Sequence, residues 1–202
     1  MGQLPNIKPK KPPHIFLKST LKNKSQLSIY FNPMIFEDHP SPEGIQKLNT
    51  SKLHEVFMTK LMELYQGEMR LLEMLTLLQE ASYTEQLQKV VTQYQRNKGE
   101  QVERLQQVFL LLDLPISGKN NRITEVLIEE CSNLAIIGKN IINDFAIGHM
   151  VMRISHYNQA GYEWLFSLAY KLQMNEITAF LEQNFNSEKD IDIKMLMAII
   201  EE

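Results

Sequence analysis

The chain of 202 residues has a single cysteine, Cys131. A lone thiol excludes an intramolecular disulfide and any zinc site built from several cysteines, and it fits a reducing compartment. Long apolar runs are missing too. No stretch approaches the roughly 18 residues of a membrane span, and Pro5, Pro9, Pro12 and Pro13 interrupt the place where a signal peptide would carry its apolar core. The sequence therefore predicts a cytoplasmic protein without a membrane partner. An excess of either sign is missing over the whole molecule: 21 basic and 24 acidic residues leave a net charge of −3, which gives no electrostatic call on nucleic acid or an anionic bilayer. No glycine-rich phosphate loop, dinucleotide fingerprint or Ser/His/Asp order appears, which removes the commonest nucleotide-binding and acyl-transfer chemistries.

What remains is the composition of one ordinary globular domain, 44% hydrophobic and 22% charged. Residues 1–48 stand apart, because Lys8, Lys10, Lys11, Lys18, Lys22 and Lys24 precede the first acidic residue, Glu37, and prolines punctuate the same stretch. This reads as a basic, irregular N-terminal extension, disordered or lying along the domain, with Ile29, Tyr30, Phe31, Met34, Ile35 and Phe36 as its anchors. Its lysines lack the interleaved aromatics of a nucleic-acid-binding tail. Residues 49–202 read as a single helical domain.

From Ser51 the periodicity is helical. Helix one is expected over about Ser51–Glu80, and helix two from a capping box of Ser82 and Glu85 to about Leu112. Pro115 and Gly118 mark a loop. A short helix follows over about Arg122–Gly138, then a long one over about Asn143–Leu172, and a last one with Asn175 as N-cap. Four long antiparallel helices and a short one, with no strand signal, predict an all-α bundle.

One residue breaks the pattern on helix one. Leu53, Phe57, Leu61, Leu64, Leu71, Leu75 and Leu78 recur at spacings of three and four, and Glu68 falls on their stripe. A carboxylate there has to be hydrogen-bonded, balanced by a cation or metal, protonated, or placed at a wet edge of the stripe. Glu188 and Asp192 repeat the anomaly on the stripe of Leu181, Phe185, Met195 and Ile199. Inward carboxylates from separate helices are how a bundle holds two iron or manganese ions, using a Glu from each of two helices and Glu-x-x-His from each of the others. None of the five histidines has a Glu three residues before it. Helix two carries Lys98 on its stripe and no carboxylate or imidazole between Leu87 and Gly99, and helix four places Asn158 between Ile154 and Leu165. His156 lies almost opposite that stripe, on an outer face shared with Phe145, His149, Met152 and Phe166.

The segments HEVFMTKLMELYQGEMRLL with Glu68, QVERLQQV, LIEE before Cys131, SHYNQAGY around His156, and SEKDIDIK with Glu188 and Asp192 follow one another in an order that resembles the YciE/YciF family of ferritin-like bacterial stress proteins. The resemblance covers about Leu53–Ala198. It implies a ferritin-like four-helix core with an extra short helix, a homodimer and, in typical members, a two-metal site related to that of rubrerythrins. Glu68, Glu188 and Asp192 match acidic positions of the family and His156 a histidine. The family's Glu- and His-rich segment of helix two is replaced here by Tyr94–Gly99, and glutamates flanking the histidine by Ser155 and Asn158.

The expectation is a non-enzymatic, stress-associated or partner-binding protein that has lost its two-metal site and needs no cofactor. Lys98 would then balance the inward carboxylates. In the alternative, Glu68, Glu188 and Asp192 retain iron or manganese as residual ligands and the protein is an oxidoreductase or handles iron. A third possibility is an adaptor that works through residues 1–48.

Overall fold

The computed structural model describes residues 50–200, without the side chains of 192–194 and 196–200; the extension expected over 1–48 lies outside the described residues. Five helices follow one another: α1 (Thr50–Ala81), α2 (Glu85–Leu111), α3 (Arg122–Ile136), α4 (Ile141–Lys171) and α5 (Asn175–Ile200). Among the described residues there is no strand. Short connections make α1 and α2 one antiparallel hairpin and α4 and α5 another. The two hairpins pack so that α1 touches α2 and α4, while α5 touches the same two helices from the far side. Between the hairpins the chain crosses the length of the bundle through α3, the single long crossover of a ferritin-like topology. This all-α architecture is the expected one.

The stripes read from the sequence form the core. Phe57, Leu61, Leu71, Leu75 and Leu78 of α1, Leu87, Val91, Leu105 and Phe109 of α2, Ile147, Ile154 and Leu165 of α4, and Leu181 and Met195 of α5 are all buried. Each such side chain contributes about 1.5–3 kcal/mol through removal of apolar surface from water. Two apolar clusters result, one around Phe57, Phe109 and Tyr162 and one around Leu75, Val91 and Ile147. Glu68, Lys98 and Glu188 occupy the stripe positions between them. The short helix α3 lies on α1 and α4, and its approach depends on a missing side chain: a Cβ on Gly67 would meet Thr124 Oγ1 at 3.1 Å.

Three local expectations are corrected. Thr84, not Ser82, caps α2, its side chain accepting from the Leu87 amide at 3.3 Å, while the Ser82 hydroxyl donates to the Leu78 carbonyl at 2.8 Å and closes α1. The start of α2 was legible, but two adjacent hydroxyl residues compete for the cap, and a buried Ser82 is used by the preceding helix. Asn175 is the first helical residue of α5, with the Met174 carbonyl accepting from the Thr178 amide. Phe166 is buried, not on an outer strip, because its ring meets Phe185 edge-on at 5.5 Å.

A carboxylate ties the two hairpins together. Asp144, buried in the first turn of α4, accepts from the Tyr83 and Thr84 amides at 2.7 and 2.8 Å, where α2 begins. Those amides would otherwise be among the unpaired donors at a helix start.

Candidate functional site: a lysine between two buried glutamates

Helical spacing delivers polar side chains to one level of the interior. Tyr94, Lys98 and Gln101 stand three or four residues apart on α2, as do Ser155, Asn158 and Tyr162 on α4 and Asn184 and Glu188 on α5, and Glu68 faces them from α1. All nine are buried, with at most 1% of their surface exposed.

The Lys98 ammonium lies 2.6 Å from Glu68 Oε2 and in direct contact with Glu188 Oε1. It therefore bridges α1 and α5, which otherwise face each other diagonally across the bundle. The second oxygen of Glu188 accepts from the Tyr94 hydroxyl at 2.9 Å. Ser155 donates to the Glu188 backbone carbonyl at 3.0 Å and accepts from Gln159 at 3.1 Å. One turn earlier on α5, Asn184 donates to the Gln101 carbonyl at 3.1 Å and its side-chain oxygen accepts from Arg104.

Electrostatics follow from burial. The Glu188 carboxyl is pushed up to about 7, because the loss of water and the neighbouring Glu68 charge outweigh the attraction of Lys98 and the Tyr94 hydrogen bond. Tyr94 and Tyr162 are both held well above the ordinary phenol range, by burial first and then by the two carboxylates. The Tyr162 hydroxyl stands beside Glu68 and Asn184, and both act on it.

The residues singled out from the sequence fare differently. Glu68, Lys98 and Glu188 meet at one point. Asp192 lies on α5 one turn beyond Glu188, and its side chain lies outside the described residues. His156 is exposed on α4, away from the cluster. Cys131 is buried on α3, with its thiol pushed up to about 12 chiefly by burial, which makes it an inert packing residue. Tyr94, Gln101, Tyr162 and Asn184 were missed as members of the site. The signal was available, since each sits one helical turn from a stripe residue already noted.

Known proteins with this architecture can now be set beside it. A family model described as a domain of unknown function, DUF892, matches residues 52–201. Protein YciF of Escherichia coli (strain K12) is 28% identical over 150 residues, which are 73% of this chain and 90% of that protein. The chain belongs to the YciE/YciF family. Among solved structures, the E. coli stress protein YciF superposes with a TM-score of 0.69 at 28% identity, over 73% of this chain and 94% of that one. YcfI from Rhodopseudomonas palustris superposes with a TM-score of 0.68 at 26% identity, over 75% and 97%. Both alignments span nearly the whole of the YciE/YciF relatives, so the likeness is one of complete domains.

The two-metal centre implied for typical YciE/YciF members requires carboxylates and imidazoles from all four helices. The donor set here is of another kind. Two carboxylates face a phenol, an ammonium and an amide on α2 and a hydroxyl, an amide and a phenol on α4. The ammonium holds the position between the carboxylates that a metal cation would need. Among the described residues, no three His, Cys, Asp or Glu side chains gather closely enough to hold a metal ion. These residues do not fit a pair of metal ions.

Proposed function

We propose that this chain is a non-enzymatic member of the YciE/YciF family, a ferritin-like scaffold whose two-metal site has been lost and whose interior cation is a lysine. The observation that carries this reading is the fully buried Lys98 ammonium in contact with both Glu68 and Glu188. Without a positive charge, two carboxylates at this depth would each cost several kcal/mol. Lys98 supplies that charge from within the chain, so the fold needs no iron or manganese to close its core.

A partner-binding role, as a homodimer or with another protein, is supported by the surface. No helix of the described residues is long and apolar enough to cross a membrane, yet Ile136, Ile137, Ile142 and Phe145 at the α3–α4 corner are 82%, 60%, 74% and 48% exposed. Such a group of large apolar side chains on a water-facing corner is the composition of a contact surface. The relative YciF is a stress protein, and a stress-associated, cytoplasmic role for this chain is part of the same proposal.

Thermal unfolding tests the metal-free reading. A ligand that binds the native state raises Tm by mass action, and removing it lowers Tm. The protein is expected to unfold at one temperature whether iron(II), manganese(II) or a chelator is present. A Tm that rises with either metal, and no longer does so in Glu68→Ala, would overturn the reading and restore the oxidoreductase alternative.

A further inference from the structure

α4 differs from its neighbours on the side turned to water. The outer face of α2 carries Glu85, Lys89, Arg96, Glu100 and Glu103, the charges of an ordinary solvated helix. Between Ile141 and Tyr162, α4 has only two charged side chains, and both are engaged: Asp144 is buried on the Tyr83 and Thr84 amides, and Arg153 pairs with Glu130 of α3. Ile147, Met150, Val151 and Ile154 face the core. Ile142, Phe145, His149, Met152 and His156 lie on the opposite side, Met152 half-buried and the other four exposed. A helix that offers water so little charge on its outer face has the composition of an interface core.

Spacing says what packs there. The five outer residues recur at three, four, three and four, the repeat of a helix that meets another helix along one seam. The apolar surface continues onto α3, where Ile123, Val126 and Ile137 are exposed along the edge that carries Glu130, and Ile136 and Ile141 extend it at the corner. Each such side chain offers on the order of 100 Å² of apolar surface. Seam and edge together therefore approach the roughly 800 Å² that each partner of a stable dimer buries. A second copy fits the seam when the helices run antiparallel about a two-fold axis at the level of Ile147. Ile142 then meets Met152 of the second copy and Phe145 meets His149, each contact being made twice. A parallel pairing would stack each histidine on its own counterpart instead.

We infer that the outer face of α4, with the adjoining edge of α3, is where two copies of this chain meet, antiparallel and centred at the level of Ile147. The inference names the occupant of the contact surface and rests on the partner-binding part of the proposed function. It is independent of the lysine bridge, which lies on the other side of α4 in the bundle interior.

The test is sedimentation velocity of the full chain at micromolar concentrations, for wild type, Ile142→Glu, and Ile142→Glu combined with Met152→Lys. Ile142 is 74% exposed, so a glutamate there leaves the bundle folded, which circular dichroism checks. Wild type is expected to sediment as a dimer. Ile142→Glu places two unpaired charges in the seam and should weaken the dimer by about 100-fold. Adding Met152→Lys should recover about tenfold or more, because positions 142 and 152 lie about 15 Å apart along their own helix and can pair only between copies. A wild-type monomer would overturn the second copy as occupant and leave another protein as the partner. A dimer that Ile142→Glu leaves intact would overturn this face while the homodimer stands, and a double variant that fails to recover would overturn the antiparallel pairing.

Discussion

Lys98 shows how one residue on the wrong face of a helix can carry the character of a whole interior. Removing it should expose the cost that it hides. Lys98→Met strands Glu68 and Glu188 without a cation, and the expected loss of stability in urea is about 3–5 kcal/mol. Adding Glu68→Gln and Glu188→Gln should recover most of it, because the stranded charges are then gone and the interaction terms can be read from the cycle. A Lys98→Met protein as stable as wild type would contradict the charge-balancing role. The pH dependence has a defined sign as well. The native Glu188 carboxyl titrates at about 7 and the unfolded one near 4.5, so between those values the native state holds more protons than the unfolded state. This group's contribution is fully present below about 4.5 and is lost as pH rises through about 7. Comparing unfolding curves of wild type and Glu188→Gln across that window should show a decline with pH in the first that is absent from the second.

At the scale of elements, the ends of α2 and α4 share one solution. After α2, Asp113 (φ 54°) donates to Leu110 and Leu114 to Phe109; after α4, Gln173 (φ 60°) donates to Tyr170 and Met174 to Ala169. Both are Schellman endings with a left-handed residue that is not glycine. Gln173→Gly should therefore raise stability by about 0.5–1 kcal/mol, and Gln173→Val should lower it, both measured by urea unfolding. These two endings also mark where reading the sequence ran out. Existence and order of all five helices were legible, because apolar side chains recur with a helical period over long stretches. The Thr84 cap was not, because Ser82 and Thr84 offer the same chemistry and only the packing of Ser82 against α1 decides between them. Glu68, Lys98 and Glu188 were legible as stripe anomalies. The polar layer around them was legible only in part: Tyr94, Gln101 and Asn184 each stand one helical turn from a stripe residue, but that they share one level emerges only once four helices are brought into register.

For the whole molecule, the lysine sits where the four helices of the ferritin-like architecture converge. Two antiparallel hairpins joined by a crossover still bring polar side chains from four helices to the centre, and the family match spans residues 52–201. On the proposed function, that centre is a self-contained ion bridge and function lies outward, on surfaces such as the α3–α4 corner. The most direct test is the metal content of the purified, untagged protein, by elemental mass spectrometry, after growth with iron and manganese supplied. The expected result is folded protein with far less than one metal ion per chain before any chelator is added. Near-stoichiometric iron or manganese that disappears in Glu68→Ala would contradict it.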